Sequence, residues 1–443
     1  MSDVARNAGL FALSLLCVQG AVYLLQLLSA ADLSVAGYAD VRLMESYAAL
    51  GAMLISFGLP SAVLVAVSAT GSETQRRFVV VATLLGGAVV AGALSLALGI
   101  GGLLVGSAIE VSHPGAVWTL AVLMSARLIL FAVVQARQNF RYLAGVTLVA
   151  CSGSLLSYGI ISTRADSSIE SWLFARGLLE AVVCIGLGMR EVRARRAGGD
   201  GLFPARYREI LKIVPQILSA AAPLGASLAL RSLADHGPLL GLSAVGASAA
   251  TISTFGLIFT LGMVALTPAS VLAGVLVPQM ARHAAMELGH KPLHAFSLPV
   301  VLAFTTSLAM CSMLIVVPSL LSWQWFATLS VLLAASGIVG FKAVAGLLGS
   351  YLLANGRGTA ILRLNATIVV IAMLAGCGFV LGKTIPPDLE EVLWAVLLVE
   401  AVAAGLYVTV AARQFAGTPR AQHTAAETIR LHVLRPTTPR AGQ

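Results

Sequence analysis

Charged residues are scarce in this chain of 443 residues. Asp, Glu, Lys and Arg together make up 11% of it, whereas 58% of the residues are hydrophobic. Such a composition excludes an ordinary water-soluble domain. The apolar runs are separated by short polar loops, and a membrane-spanning helix needs about 20 mostly apolar residues. The sequence therefore predicts an all-α integral membrane protein with about 12 transmembrane helices.

Several signatures of enzymes and metal proteins are also missing. The five cysteines fall inside apolar runs without CxxC spacing or histidine partners, so neither a disulfide framework nor a zinc site is expected. No GxxxxGK[ST] sequence occurs, which argues against direct use of ATP. The loops on one side of the predicted membrane are all short, whereas membrane sugar-transfer enzymes display a large outer loop with acidic residues. We expect no cofactor, no metal and no enzymatic activity.

Lysine and arginine are distributed unevenly between alternate loops. Of the 28 basic residues, 21 fall on the side that holds both termini and the longest loop, and only Arg164 and Lys383 fall on the other. Cytoplasmic loops collect Lys and Arg, so both termini are predicted to be cytoplasmic. This bias also accounts for the net charge of +9, because the basic residues lie beside membrane lipid rather than on one face for nucleic acid.

The longest basic loop, "REVRARRAGGDGLFPARYRE", divides the chain into two sets of six helices. The predicted units are an N-terminal bundle (1–189), a basic cytoplasmic linker (190–210), a C-terminal bundle (211–412) and a basic tail (413–443). A segment from Leu33 aligns weakly with one from Leu242, and Pro60 comes within one residue of Pro268. An even number of spans per half gives both bundles the same orientation, related by a pseudo-two-fold axis along the membrane normal. In transporters that are built from two repeats of this kind, the substrate site lies near the membrane midplane between the halves.

Nine ionisable residues fall inside predicted spans, where a central charge costs roughly 2.5–3.5 kcal/mol and normally faces the bundle interior. Three pairs have helical spacing and predict local ion pairs. These pairs are Arg42 with Glu45, Arg176 with Glu180, and Arg231 with Asp235.

Arg127, in "LMSARLILF", and Lys342, in "GIVGFKAVAGLL", have no acidic residue within four positions. They fall on the fourth helix of each half, while Glu180 and Glu400 fall on the sixth. Two interpretations stay open: each cation pairs with the glutamate of its own half, or both face one cavity that attracts an anion. In the second case Arg127 and Lys342, then Arg42 and Arg231, are candidate substrate ligands. The candidate ion-coupling carboxylates are Asp235, Glu45, Glu180 and Glu400.

Segments throughout the chain resemble the polysaccharide biosynthesis and oligosaccharide flippase family of Wzx type. They include "LSAADLSVAGYAD", "FGLPSAVLVAVSA", "VLVPQMAR" and "YLLANGRGTAILR". The segment "DHGPLLGLSAVGA" departs from the family, because it carries His236 and Pro238 where members usually continue apolar. The resemblance implies two six-helix bundles around a cationic lumen that move an undecaprenyl-diphosphate-linked oligosaccharide across the bacterial cytoplasmic membrane.

The expected partners are accordingly a lipid-linked glycan, membrane lipid and possible glycan polymerase or assembly proteins. The main alternative is an ion-coupled multidrug or small-molecule exporter of the same fold, which would favour an acidic cavity. A membrane sugar-transfer enzyme and a non-transporting scaffold are weaker alternatives. The former lacks an outer catalytic loop, and the latter has no use for charges that recur in both halves.

Overall fold

The computed structural model describes residues 2–69, 73–105, 113–164, 169–197, 203–285, 294–320, 328–355, 357–381 and 388–416. Every regular element in these ranges is an α-helix. The N-terminal half contains α1 (Ser2–Asp32), α2 (Val35–Ser56), α3 (Leu59–Ala69), α4 (Glu73–Val105), α5 (Pro114–Ala136), α6 (Phe140–Arg164) and α7 (Ile169–Ala197). The C-terminal half contains α8 (Phe203–Ala244), α9 (Ala249–Ala265), α10 (Thr267–Ala285), α11 (His294–Leu320), α12 (Leu329–Ala354), α13 (Gly358–Leu381) and α14 (Leu389–Ala416).

The number of membrane spans agrees with the prediction. In the described part of the chain, 10 helical stretches are long and apolar enough to cross a membrane, or up to 12 if each of two bent pairs counts as one span. Large apolar side chains such as Leu96, Leu156 and Leu374 are two-thirds exposed. An aqueous surface would not carry so many of them, whereas lipid stabilises them. The protein is a multi-pass membrane protein.

The second span of each half is interrupted just before a proline. Helices α2 and α3 meet at an angle of 48°, where Phe57 and Gly58 have positive φ. Helix α9 ends before Leu266, and α10 begins at Thr267. Pro60 and Pro268 are each the second residue of the helix that follows, where proline costs no backbone hydrogen bond. The aligned segments from Leu33 and Leu242 do not correspond at their starts, because residues 242–244 still belong to α8, whereas α2 begins at Val35.

The first helix of the second half, α8, is long and bent. It contains Pro215, Pro223 and Pro238, and its axis bends by 43° between Ile213–Ser219 and Ala221–Ala244. A proline inside a helix removes one backbone hydrogen bond, which accounts for a bend between Pro215 and Pro223.

The boundaries at the middle of the chain differ from those predicted. Helices α7 and α8 extend through residues 190–197 and 203–210 of the predicted linker, because Arg and Glu favour helix once it has left the bilayer. Residues 198–202, Lys383 and the tail from 417 lie outside the described residues.

The two halves pack against each other through a shared apolar core. Val63 and Val133 of the N-terminal half belong to the same buried cluster as Val277 and Leu348 of the C-terminal half. Hydrogen bonds also cross the boundary at three levels. Ser253 Oγ donates to Val35 O at 3.0 Å, Thr267 Oγ1 donates to Gln19 Oε1 at 2.5 Å, and Gln135 Nε2 donates to Gly274 O at 3.1 Å. The halves are therefore in contact along most of the depth of the bundle.

Candidate functional site: two buried charge clusters

The nine ionisable residues that the sequence places inside spans form two clusters, one in each half. The N cluster consists of Gln26, Arg42, Glu45, Arg127, Arg176 and Glu180. The C cluster consists of Arg231, Asp235, Lys342 and Glu400. All eight candidate residues named from the sequence thus belong to a cluster. Each cluster is drawn from helices that are distant in sequence.

In the N cluster, two glutamates are shared among three arginines. Glu180 is fully buried and accepts hydrogen bonds from Arg176 and from Nε of Arg127, the latter at 2.5 Å. Glu45 accepts from Arg42 and, at 2.5 Å, from Nε2 of Gln26. Nε of Arg176 lies 3.7 Å from Oε1 of Glu45, which joins the two parts. A carboxylate held by two arginines in this way is well compensated despite its burial.

The charges of the N cluster do not balance. Three guanidinium groups face two carboxylates, which leaves one positive charge in excess. The Arg127 side chain is 16% exposed, whereas those of Arg42 and Arg176 are nearly inaccessible. Nε of Arg42 is buried and has no hydrogen-bond partner. A buried donor left without a partner is costly, so this cluster has both charge and hydrogen-bonding capacity to offer an anion.

The C cluster is balanced, with two cations and two carboxylates. Nη2 of Arg231 donates to both carboxylate oxygens of Glu400, at 2.9 and 2.8 Å, and lies 3.3 Å from Oδ1 of Asp235. Nζ of Lys342 donates to Oδ1 of Asp235 at 2.7 Å and lies 3.7 Å from Glu400. Asp235 is the most exposed member, at 21% of its side chain.

These contacts answer the question that the sequence left open. Arg127 pairs with Glu180 within its own half. Lys342 pairs first with Asp235 and only secondarily with Glu400, again within its own half. The two unpartnered cations of the sequence therefore do not face each other across one empty cavity in this conformation.

A pocket lies beside the C cluster. Asp235 and Lys342 line it together with Phe259, Met263 and other apolar residues of α9, α12 and α14. Since all of these helices belong to the C-terminal half, Lys342 faces a pocket inside that half rather than one between the halves.

Arg42 crosses the boundary between the halves. It starts from α2 and reaches Gly256 of α9, where a methyl group added to the glycine would lie 2.6 Å from Nε of Arg42. Only a residue without a side chain leaves room for the arginine at this position. Sequence reasoning treated Arg42 as a local ion pair and missed this contact.

Two further residues of the site were missed or undervalued by sequence reasoning. Gln26 carries no charge and so gave no signal, yet it completes the coordination of Glu45. His236 entered the sequence analysis only as a departure from the flippase pattern, and its Nδ1 is buried without a hydrogen-bond partner. Its ring lies 5.0 Å from that of Phe259, and Lys342 Nζ lies 5.1 Å from the same ring.

No group of three or more His, Cys, Asp or Glu side chains suited to a metal ion occurs among the described residues. The carboxylates that do cluster are already bound to arginine or lysine. The contacts that these side chains make are ion pairs.

The architecture matches known transporters. The multidrug and toxic compound extrusion (MATE) transporter VcmN of Vibrio cholerae is 16% identical, with a TM-score of 0.63 over 94% of this chain and 98% of that one. A eukaryotic MATE transporter is 15% identical, with a TM-score of 0.62 over 93% and 98%. A MOP superfamily transporter from Pyrococcus furiosus is 14% identical, with a TM-score of 0.69 over 93% and 95%. The fold is that of the MATE-like transporters of the MOP superfamily.

This result confirms the predicted architecture, since MATE transporters have 12 helices in two bundles. No protein-family model and no curated protein matches the sequence. The narrower resemblance to oligosaccharide flippases stays a prediction.

Proposed function

We propose that this protein is an alternating-access transporter that moves a polyprenyl-diphosphate-linked oligosaccharide across the bacterial cytoplasmic membrane, with both termini in the cytoplasm. The observation that supports it most directly is the unbalanced N cluster. One guanidinium in excess, buried in a membrane, attracts an anion far more strongly than the same group would in water.

The chemistry of guanidinium suits a diphosphate. Its planar fork can bind two phosphate oxygens at once, and hydrogen bonds between charged groups are roughly twice as strong as neutral ones. Arg127 is partly exposed, and Arg42 has a free donor at the boundary of the halves. We therefore assign the first contacts with the diphosphate to Arg127 and Arg42. Lys342 and Arg231, which are balanced by Asp235 and Glu400, come second.

A MATE-like fold does not require a cation-attracting pocket. The Pyrococcus furiosus transporter of the MOP superfamily is described as having a binding pocket of reverse polarity, which suggests a different function for it. That description gives a precedent, within one fold, for the change of charge that we propose here.

The alternative, an ion-coupled multidrug exporter, needs a carboxylate free to bind a proton or a metal cation. Glu45, Glu180, Asp235 and Glu400 were the candidates, and each is held by arginine or lysine in this conformation. To bind a proton or a metal cation, such a carboxylate would have to give up a contact with arginine or lysine and leave that cation without its partner. This arrangement favours an anionic substrate over a cationic drug.

A flipping assay in proteoliposomes tests the proposal. The probe is a fluorescent polyprenyl-diphosphate oligosaccharide, and its movement between leaflets is read from protection against a membrane-impermeant quencher. Arg127→Gln removes the excess positive charge of the N cluster. The ion pairs of Glu180 with Arg176 and of Glu45 with Arg42 stay in place. We expect flipping to fall by about tenfold or more, since a hydrogen bond to a charged group contributes about 1.5–3 kcal/mol.

Arg127→Lys, which keeps the charge, is the matched control and should retain more activity. Wild-type vesicles that move cationic dyes but not the diphosphate probe would refute the proposal and favour the exporter. Undiminished flipping by Arg127→Gln would refute the role of the N cluster.

A further inference from the structure

His236 lies where the two charge clusters approach each other. It directly follows Asp235 on α8, and its ring packs against Phe259 of α9, the residue that also contacts Lys342. Phe259 is three residues after Gly256, so it lies one helical turn from the point where Arg42 reaches across from the N-terminal half. One turn of α9 thus separates Phe259, which contacts both His236 and Lys342, from Gly256, which contacts Arg42.

The charges that act on the imidazole come from both halves. They are Asp235 of α8, Lys342 of α12, and Arg42 and Glu45 of α2. Helices α3 and α9, which also pack against α8, carry no ionisable side chain, whereas α4 and α13 carry Arg76 and Arg363. Arg231 and Glu400 pair with Asp235 and Lys342, so the ionised groups nearest the imidazole are three positive and three negative.

A balanced environment gives a buried imidazole no reason to carry a charge, because burial disfavours the charged form. Adding an anion at the boundary of the halves removes that balance. The imidazolium then supplies the positive charge that compensates the anion, and it donates hydrogen bonds from both ring nitrogens instead of one. Nδ1, which has no partner in the present conformation, becomes available to a phosphate oxygen.

We propose that His236 binds one proton from water when an anionic lipid diphosphate binds between the halves, so that loading of the anion and protonation of His236 are coupled. This inference rests on the proposed function, because it concerns the same anion. It gives the C-terminal half a net positive charge, which its balanced cluster lacks. No covalent step is involved, and the proton returns to water when the anion leaves.

Calorimetry of the full-length protein in nanodiscs tests this inference with farnesyl diphosphate as the probe. Titrations in buffers of different ionisation enthalpy give the number of protons taken up per bound probe. Wild-type protein should take up close to one proton more than His236→Gln, and its affinity should fall more steeply as the pH rises, by up to about tenfold per pH unit. The titration of the probe itself is common to both proteins and cancels.

Two further variants make the result specific. His113→Gln removes a histidine at the start of α5, remote from both clusters, and should leave the proton count unchanged. His236→Arg carries a permanent charge, so its affinity should change with pH only as the probe itself titrates, as in His236→Gln.

Equal proton counts in wild type and His236→Gln, with binding retained, would overturn the inference and leave the proposed function standing. Absence of probe binding to wild type at every pH would overturn both.

Discussion

Nε of Arg127 lies 2.5 Å from Oε2 of Glu180, and the two residues are 53 positions apart on α5 and α7. The same glutamate also holds Arg176, so one carboxylate compensates two guanidinium groups in the interior of the N-terminal half. Much of the stability and much of the charge of this half therefore depend on a single side chain.

Glu180→Gln is expected to destabilise the protein strongly. It leaves Arg127 and Arg176 buried without their shared carboxylate, and breaking a buried ion pair costs about 3–5 kcal/mol. Thermal unfolding in detergent should show a lower midpoint than for wild type. Adding Arg127→Gln to this variant restores the original charge of the cluster and should recover part of the loss. A double variant no more stable than the single one would contradict the charge count.

Gly256→Ala should disturb the contact between the halves. The new methyl group would lie 2.6 Å from Nε and 2.8 Å from Cγ of Arg42, so the arginine must leave its position beside α9. We expect slower flipping and a lower midpoint of unfolding. Gly346→Ala on α12 is the matched control, because no atom lies within 4 Å of its added methyl group. Equal effects of the two substitutions would mean that helix propensity, not the arginine contact, is responsible.

Gly58→Ala tests the interrupted second span. Gly58 has φ +71°, and a methyl group there would lie 2.3 Å from the backbone nitrogen of Gly225 on α8. Backbone atoms cannot move aside at small cost, so we expect little folded protein in the membrane fraction. Gly246→Ala separates the two causes, since Gly246 has φ +73° but open space around it. If the positive φ alone were responsible, both variants would lose the same free energy of unfolding, on the order of 1 kcal/mol.

The sequence predicted the class of fold and the members of the site better than the pairings within it. Spacing along one helix correctly indicated Arg42 with Glu45, Arg176 with Glu180, and Arg231 with Asp235. Their partners are three or four residues away, so local geometry alone determines the contact.

Contacts between helices were harder to foresee. The position of Lys342 in the repeat indicated Glu400, whereas its nearest partner is Asp235 of α8. The repeat indicates which helices correspond in the two halves. Each side-chain pairing, however, depends on how each helix is rotated about its own axis. A membrane helix has apolar residues on every face, so its sequence does not reveal that rotation. The reach of Arg42 to Gly256 depends on the packing of two halves and has no local signature.

The unequal charge of the two clusters has an electrical consequence. A unit charge carried across the whole membrane potential does work of about 2.3 kcal/mol per 100 mV. The C cluster carries equal numbers of positive and negative groups, so moving it along the field does almost no net work. The N cluster carries one uncompensated positive charge, and any displacement of it along the membrane normal must do work in proportion to the voltage. Rocking of the N-terminal half without bound anion should therefore be sensitive to membrane potential, and a bound anion should reduce or reverse that sensitivity.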